Sequence, residues 1–205
     1  MKLYGHPMST CTRKVLTTLA EKGHEAEFVL VDIFKGEAKQ PAHRAHQPFG
    51  KVPVLEDHGF WLYESRSIIR YLDEKLDGPK LVPADVHDGA RMDQWMSVEY
   101  SYFSGPVLQI MRELLFGHLH GKTPDMDVVK TVRESIGSVL DVTEKALAHH
   151  PYFGGKTFSL ADISWMPYVQ YLFAAEQGDL FTSRPAMNAW WERVSTRPSW
   201  KKIAS

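Results

Sequence analysis

Apolar positions in the first third of the chain switch between two periods. Residues 2–4 are a short strand, and residues 12–22 set Val15, Leu16, Leu19 and Ala20 on one face of a helix. Residues 26–31 return to a strand pattern, so the three segments predict a βαβ unit with a right-handed crossover and parallel strands. The polar stretch 36–46 predicts no more than a short irregular helix. Residues 52–56 and 60–63 are strands joined around Asp57-His58-Gly59, a turn tight enough to force antiparallel pairing. A helix over residues 65–76 then carries Ile68, Ile69 and Leu72 on its apolar face.

Asp77-Gly78-Pro79-Lys80-Leu81-Val82-Pro83-Ala84-Asp85 breaks this pattern with two prolines and a glycine, and the strand signal ends there. Beyond it the periodicity predicts helices over 88–116, with a bend or break at Gly105-Pro106, and over 125–149, 160–176 and 185–196. Ser159-Leu160-Ala161-Asp162 has capping-box spacing with Asp in place of Glu, and Pro167 should kink the helix that follows. The predicted organisation is an α/β thioredoxin-like domain over 1–76, a linker over 77–87 and an all-α helical-bundle domain over 88–205.

Composition narrows the partners. The chain has 205 residues, a formal net charge of −1 and 43% hydrophobic residues, a balance that builds a sizeable core and gives no basic field for nucleic acid or an anionic membrane. No apolar run reaches membrane-spanning length, and the N-terminus lacks the apolar stretch of a signal peptide. The single cysteine, Cys11, excludes an internal disulfide framework and points to a reducing cytoplasm. Ten histidines include His118-x-His120, in a loop beside glycines, and His149-His150, at a helix end. Neither has convincing ligand spacing, and no metal is expected.

Candidate chemistry gathers in the first domain. In Gly50-Lys51-Val52-Pro53-Val54-Leu55, a cis bond at Val52-Pro53 would turn the chain so that Val52 offers its N–H and C=O to an extended guest backbone. Downstream, Glu64-Ser65 opens a helix with Ser65 read as its N-cap, where unpaired N–H groups and the helix dipole attract a carboxylate. Together they predict a small acidic peptide as ligand. Ser9 precedes another helix start and is either its cap or a hydroxyl aimed at a guest. Cys11, two residues on, is a rival reactive group, because a thiolate is favoured near a helix N-terminus.

Several motifs resemble one family, the cytosolic glutathione S-transferases. They are Gly5-His6-Pro7-Met8-Ser9 with Thr12-Arg13-Lys14-Val15, Gln47-Pro48-Phe49-Gly50-Lys51-Val52-Pro53, Glu64-Ser65-Arg66-Ser67-Ile68, Phe158-Ser159-Leu160-Ala161-Asp162 and Arg197-Pro198-Ser199-Trp200-Lys201-Lys202. The first and last are most similar to the plant phi class. The resemblance implies the glutathione S-transferase fold and a homodimer that conjugates glutathione, a co-substrate and not a resident cofactor, to hydrophobic electrophiles. It implies Ser9 as hydrogen-bond donor to the glutathione thiolate, Val52 with Pro53 holding the cysteinyl backbone, and Glu64 and Ser65 at the γ-glutamyl end. Lys39 and Lys51 would face the glycyl carboxylate. Here the chain departs from the family, with Ala38 where a histidine is usual and Lys51 where a glutamine is usual. The electrophile pocket would draw on Met8, Ile33, Phe34, Phe103, Met111, Leu115 and Phe116, lying between the domains. Phe49 would dock into the partner subunit, whereas Trp95, Trp165, Trp190 and Trp191 read as structural.

The chemistry has a definable cost. A thiol with an ordinary pKa near 8.5 is a few per cent ionised at neutral pH, and lowering it by about two units takes roughly 2.7 kcal/mol of preferential thiolate stabilisation. One helix end and one hydroxyl supply about that much. Two other readings keep the same architecture: a Cys11-dependent glutathione thioltransferase or dehydroascorbate reductase, and a non-catalytic glutathione-dependent carrier of hydrophobic compounds. An interaction module of the kind attached to translation factors would have lost the glutathione residues, and this chain retains them.

Overall fold

The computed structural model describes residues 1–204, the side chains of His118 and His120 excepted, so the expectation for His118-x-His120 lies outside what is described. Two compact units emerge, one of Met1–Val82 with the C-terminal helix and one of Pro83–Arg197. The boundary between Val82 and Pro83 falls inside the expected 77–87 linker. Residues up to Val82 stay with the first unit because Asp73 Oδ1 and Oδ2 accept the N–H groups of Leu81 and Val82 at 2.9 and 3.0 Å. The buried Lys22 ammonium holds the same carboxylate at 3.1 Å and also donates to the Pro79 carbonyl at 3.2 Å.

The first unit contains β1 (Lys2–Gly5), α1 (Thr10–Glu21), β2 (Glu27–Leu30), α2 (Pro41–Arg44), β3 (Val54–Asp57), β4 (Phe60–Tyr63), α3 (Ser65–Lys75) and α10 (Pro198–Ala204). The sheet order is β2-β1-β3-β4, with β1 parallel to β2 and antiparallel to β3, and β3 antiparallel to β4. This is the mixed sheet that the period changes predict. Leu3 and Leu55, paired across β1 and β3, are fully enclosed, as are Val15 of α1 and Ile68, Ile69 and Leu72 of α3, and the two helices pack together. Burying those side chains is the main stabilising term of this unit, at about 1.5–3 kcal/mol each. The C-terminal helix α10 was expected in the second domain. It packs on α1 instead, burying Trp200, with Lys202 on Glu25 and Ser199 donating to Glu21.

The second unit is helical throughout: α4 (Val86–Val98), α5 (Ser104–Ile110), α6 (Met126–Leu147), α7 (Leu160–Ala174), α8 (Asp179–Thr182) and α9 (Pro185–Ser195). The expected break at Gly105-Pro106 is absent, because both residues lie inside α5. Pro106 is the third residue of α5, in the first turn where a missing N–H is tolerated, and a π turn over Glu99–Phe103 precedes it. A second π segment, Met111–Phe116, follows α5. Pro167 sits within α7, whose side chains are buried nearly all round, the composition of a central helix. Trp165 and Trp190 are fully buried there, as expected of structural tryptophans.

Candidate functional site

The strand registers bring four separated segments to one end of the sheet. Tyr4, next to the C-terminal end of β1, pairs with Val54, the first residue of β3, and Val54 pairs with Tyr63, the last of β4. The turn after β1, the Val52-Pro53 segment before β3 and Glu64-Ser65 after β4 therefore share an edge. Because β2 runs parallel to β1, with Val31 N–H on the Gly5 carbonyl at 2.9 Å, the segment that leads to Lys39 leaves from that edge too. Both α1 and α3 begin there, so two sets of unpaired N–H groups and two positive helix ends face the same region.

Ser9 is the N-cap of α1, with extended backbone (φ −77°, ψ 122°), and its Oγ accepts the N–H of Thr12 at 3.2 Å. Capping uses the oxygen as acceptor and leaves the hydroxyl hydrogen for another partner, so cap and thiolate donor are compatible roles for one side chain. The turn that presents Ser9 is tied down from within. Thr12 Oγ1 accepts the His6 N–H at 3.3 Å, His6 Nδ1 accepts the Met8 N–H at 3.2 Å, and the His6 carbonyl accepts the Ser9 N–H at 2.9 Å. A Cβ at Gly5 would meet the Thr12 methyl at 2.5 Å, so glycine is needed for this close approach. The His6–Thr12 bracing was not foreseen; the one signal for it is Thr12 three residues after Ser9. Cys11 is half-buried in the first turn of α1.

Val52-Pro53 is a cis peptide, as the sequence suggested. The loop before it is braced from the 37–47 segment: His43 Nε2 hydrogen-bonds the Lys51 carbonyl at 2.7 Å, Gln47 Oε1 accepts the Lys51 N–H at 3.3 Å, and Lys39 Nζ donates to the Phe49 carbonyl at 3.2 Å. Gly50 has φ 60° and lies so close to Lys39 Cδ that a Cβ there would stand 2.8 Å away. Lys39 and Lys51 are both exposed, while Ala38, at the position where the family's histidine is usual, is buried.

Ser65 was expected as the N-cap of α3, and here the structure differs. Glu64 is the cap residue and Ser65 is the first helical residue. Glu64 has φ 69° and ψ 109°, a conformation costing on the order of 1–3 kcal/mol for a residue with a Cβ. Ser65 Oγ is buried and has no hydrogen-bond partner within the protein. A buried hydroxyl without a partner is itself costly, so strain and an orphaned polar group stand side by side at this helix start.

The expected apolar pocket residues divide. Met8 and Phe34 are exposed, at 37% and 45%, with Phe34 edge-on to His6 at 5.3 Å. Phe103 is fully enclosed, stacked on Trp165 at 4.4 Å, and Met111 is 4% exposed. These two belong to the core of the helical unit, because their positions fall on the inner face of the widened helix. Leu115 opens onto a groove of about 590 Å³ with Leu114, Met126 and Val129, and Phe116 lies edge-on to Tyr171 at 6.0 Å. Phe49 is 63% exposed, its ring edge-on to Tyr63. Among the described residues no group of three or more His, Cys, Asp or Glu side chains could hold a metal ion, and no helix is long and apolar enough to cross a membrane.

Comparison with known proteins joins the two units in one family. The profile for the glutathione S-transferase N-terminal domain matches residues 1–74 and that for the C-terminal domain residues 107–198. Glutathione S-transferase F10 of Arabidopsis thaliana is 36% identical over 202 residues, covering 97% of this chain and 94% of the relative. F11 of the same plant is 38% identical over 206 residues, covering 99% and 96%. Among solved structures, glutathione transferase F7 from Populus trichocarpa superposes with a TM-score of 0.94 at 39% identity, covering 99% of this chain and 97% of that one. A glutathione S-transferase I bound with lactoylglutathione superposes with a TM-score of 0.92 at 33% identity, covering 99% and 97%. The resemblance to the phi class is borne out by these F-series relatives.

Proposed function

The chain belongs to the glutathione S-transferase family, and we propose that its sheet-edge site holds glutathione while Ser9 donates its hydroxyl hydrogen to the tripeptide sulfur. The thiolate so stabilised attacks a hydrophobic electrophile; a new carbon–sulfur bond forms as the leaving group departs or the adduct anion takes up a proton. Val52 and Pro53 meet the cysteinyl backbone. Glu64 takes the γ-glutamyl ammonium, and Ser65 with the α3 N-terminus takes its carboxylate. Lys39 and Lys51 face the glycyl carboxylate as solvated charges, and Met8 and Phe34 are the first unit's contribution to the electrophile.

The single observation that supports this reading best is the Ser65 hydroxyl, buried without a protein partner beside the strained Glu64. A ligand carboxylate bonded there offsets both costs at once. The relative with bound lactoylglutathione supports a glutathione derivative as the occupant. We assign the exposed Phe49 ring to docking on a second copy of the chain, and the single cysteine suits a cytoplasmic setting.

Ultraviolet titration of the bound glutathione thiol tests the assignment. Ser9→Ala should raise its pKa by one to two units, on the order of 1.4–2.7 kcal/mol of thiolate stabilisation, while Cys11→Ser leaves it where it is. The opposite pattern, or disulfide exchange that disappears only in Cys11→Ser, assigns the chemistry to the cysteine.

A further inference from the structure

The outer face of the sheet carries a second candidate site. Tyr4, Val54 and Trp61 lie on the face opposite Leu3 and Leu55, and residues of the segment 37–46, whose helix α2 is four residues long, stand over them. One turn of helix is about 6 Å long, too short to close over four strands spaced about 4.8 Å apart. A groove of about 310 Å³ remains, lined by Tyr4, Val54 and Trp61 below and by Glu37, His43 and His46 among the residues above. None of Ser9, Lys39, Lys51, Val52, Glu64 or Ser65 lines it.

Shape and charge both specify an occupant. The Tyr4 and Trp61 rings stand 5.4 Å apart, and the His46 imidazole lies flat on Trp61, with centroids 3.5 Å apart and planes within 12°. That exposed imidazole already occupies the position a planar guest ring would take. The lining contains one carboxylate, Glu37, and neither lysine nor arginine. Electron-rich ring faces with a lone carboxylate at the rim favour a cation over an anion. We propose that this groove binds a planar, positively charged aromatic small molecule, seated against Trp61 in place of His46, at a site separate from the glutathione site.

The test titrates the cationic dye proflavine against the full chain, following its fluorescence, with naphthalene-2-sulfonate as a planar anion. One proflavine should bind per chain, and the anion should bind at least about tenfold more weakly. Trp61→Leu should weaken proflavine by about tenfold, the equivalent of one desolvated cation–π contact. Ala42→Trp, which fills the groove from an exposed helix position and leaves Trp61 in place, should do the same; this second variant decides the matter if Trp61→Leu fails to fold. Ser9→Ala should bind the dye as wild type does. Proflavine binding that survives Ala42→Trp, equal binding of the anion, or loss of the dye in Ser9→Ala would each overturn the proposal.

Discussion

The backbone N–H of Thr12 donates to Ser9 Oγ at 3.2 Å, a bond that uses the oxygen as acceptor and leaves the Ser9 hydroxyl hydrogen for another partner. One side chain therefore carries a stability role and a catalytic role, and the two are separable by measurement. Ser9→Ala should lower kcat for conjugation by about 10–100-fold with the KM for glutathione largely retained, because the lost bond favours the thiolate over the thiol. Its cost in stability should be about 0.5–2 kcal/mol, that of a lost cap. Ser9→Asn, a good cap without a hydroxyl, should recover the stability and not the rate.

Thr12 acts on Ser9 through both its backbone and its side chain, and Thr12→Val cuts only the second. The cap bond survives, but the buried His6 N–H loses its acceptor, at a cost of about 1–3 kcal/mol. With the 6–9 turn loosened, kcat should fall by a few-fold to about tenfold, and the thiol pKa should rise by less than in Ser9→Ala. Calorimetric melting combined with the ultraviolet titration checks both parts.

Ser65 gives a sharper contrast. Its hydroxyl is buried without a protein partner, so Ser65→Ala should leave the apo protein as stable or up to about 1 kcal/mol more stable, while the KM for glutathione rises by about tenfold or more. Glu64→Gly should relieve the positive φ and stabilise by about 1 kcal/mol while also weakening glutathione. Ordinary structural residues lose stability on truncation, so a gain in melting temperature paired with a loss in affinity marks these two as ligand contacts.

The features read correctly from sequence are those written in period and turn chemistry. Alternation and Asp57-His58-Gly59 were enough for β3 and β4, and Val52-Pro53 before a strand was enough for the turn. What escaped has little local signal. The π turns at Glu99–Phe103 and Met111–Phe116 keep helical composition while changing the winding, which moved Phe103 and Met111 from an expected pocket to the core. The helix α8 is four residues long, and α10 belongs to the first unit through tertiary contacts of Trp200, Ser199 and Lys202 that no spacing reveals. Serine is among the preferred caps, so composition points to Ser65 as the cap, whereas the positive φ of Glu64 shifts the helix start by one residue.

Asp57 predicts an acid limb for the first unit. Its buried carboxylate accepts the Lys75 ammonium and the Tyr71 hydroxyl, the latter at 2.5 Å, and these bonds, the lysine's foremost, hold its pKa below the usual carboxylate range. In the unfolded chain the group regains an ordinary pKa near 3.9, so between the two values the unfolded state binds more protons. The stabilisation is fully present above pH 5 or so and is lost as pH falls through the ordinary value to the lower folded one. Asp57→Asn should cost stability near neutrality and flatten the fall in melting temperature below about pH 4. An unchanged acid limb would assign it to another carboxylate.

Asp162 should behave in the opposite sense, and its loss should be severe. Oδ1 accepts the Phe153 N–H at 3.0 Å and the Trp190 indole N–H at 2.8 Å, while Oδ2 accepts the Ser159 N–H and hydroxyl, both at 2.8 Å. Burial pushes the carboxyl pKa up despite these donors, so stability from this group is greatest below the ordinary carboxylate range and declines as pH rises through the folded value. Asp162→Ala strands four buried donors at about 1–3 kcal/mol each, enough to consume the 5–15 kcal/mol typical of a folded domain. Asp162→Asn is a poor rescue, because its NH₂ meets two fixed donors on the Oδ1 side and the Ser159 N–H on the Oδ2 side, where the Ser159 hydroxyl alone can turn to accept. Trp190→Phe strands no donor, removes one of four bonds and leaves a small cavity, for a loss of about 1–3 kcal/mol. Urea melts followed by far-ultraviolet dichroism should rank wild type above Trp190→Phe, with both Asp162 variants far below; an Asn variant close to wild type would mean that the oxygens are not acting as paired acceptors.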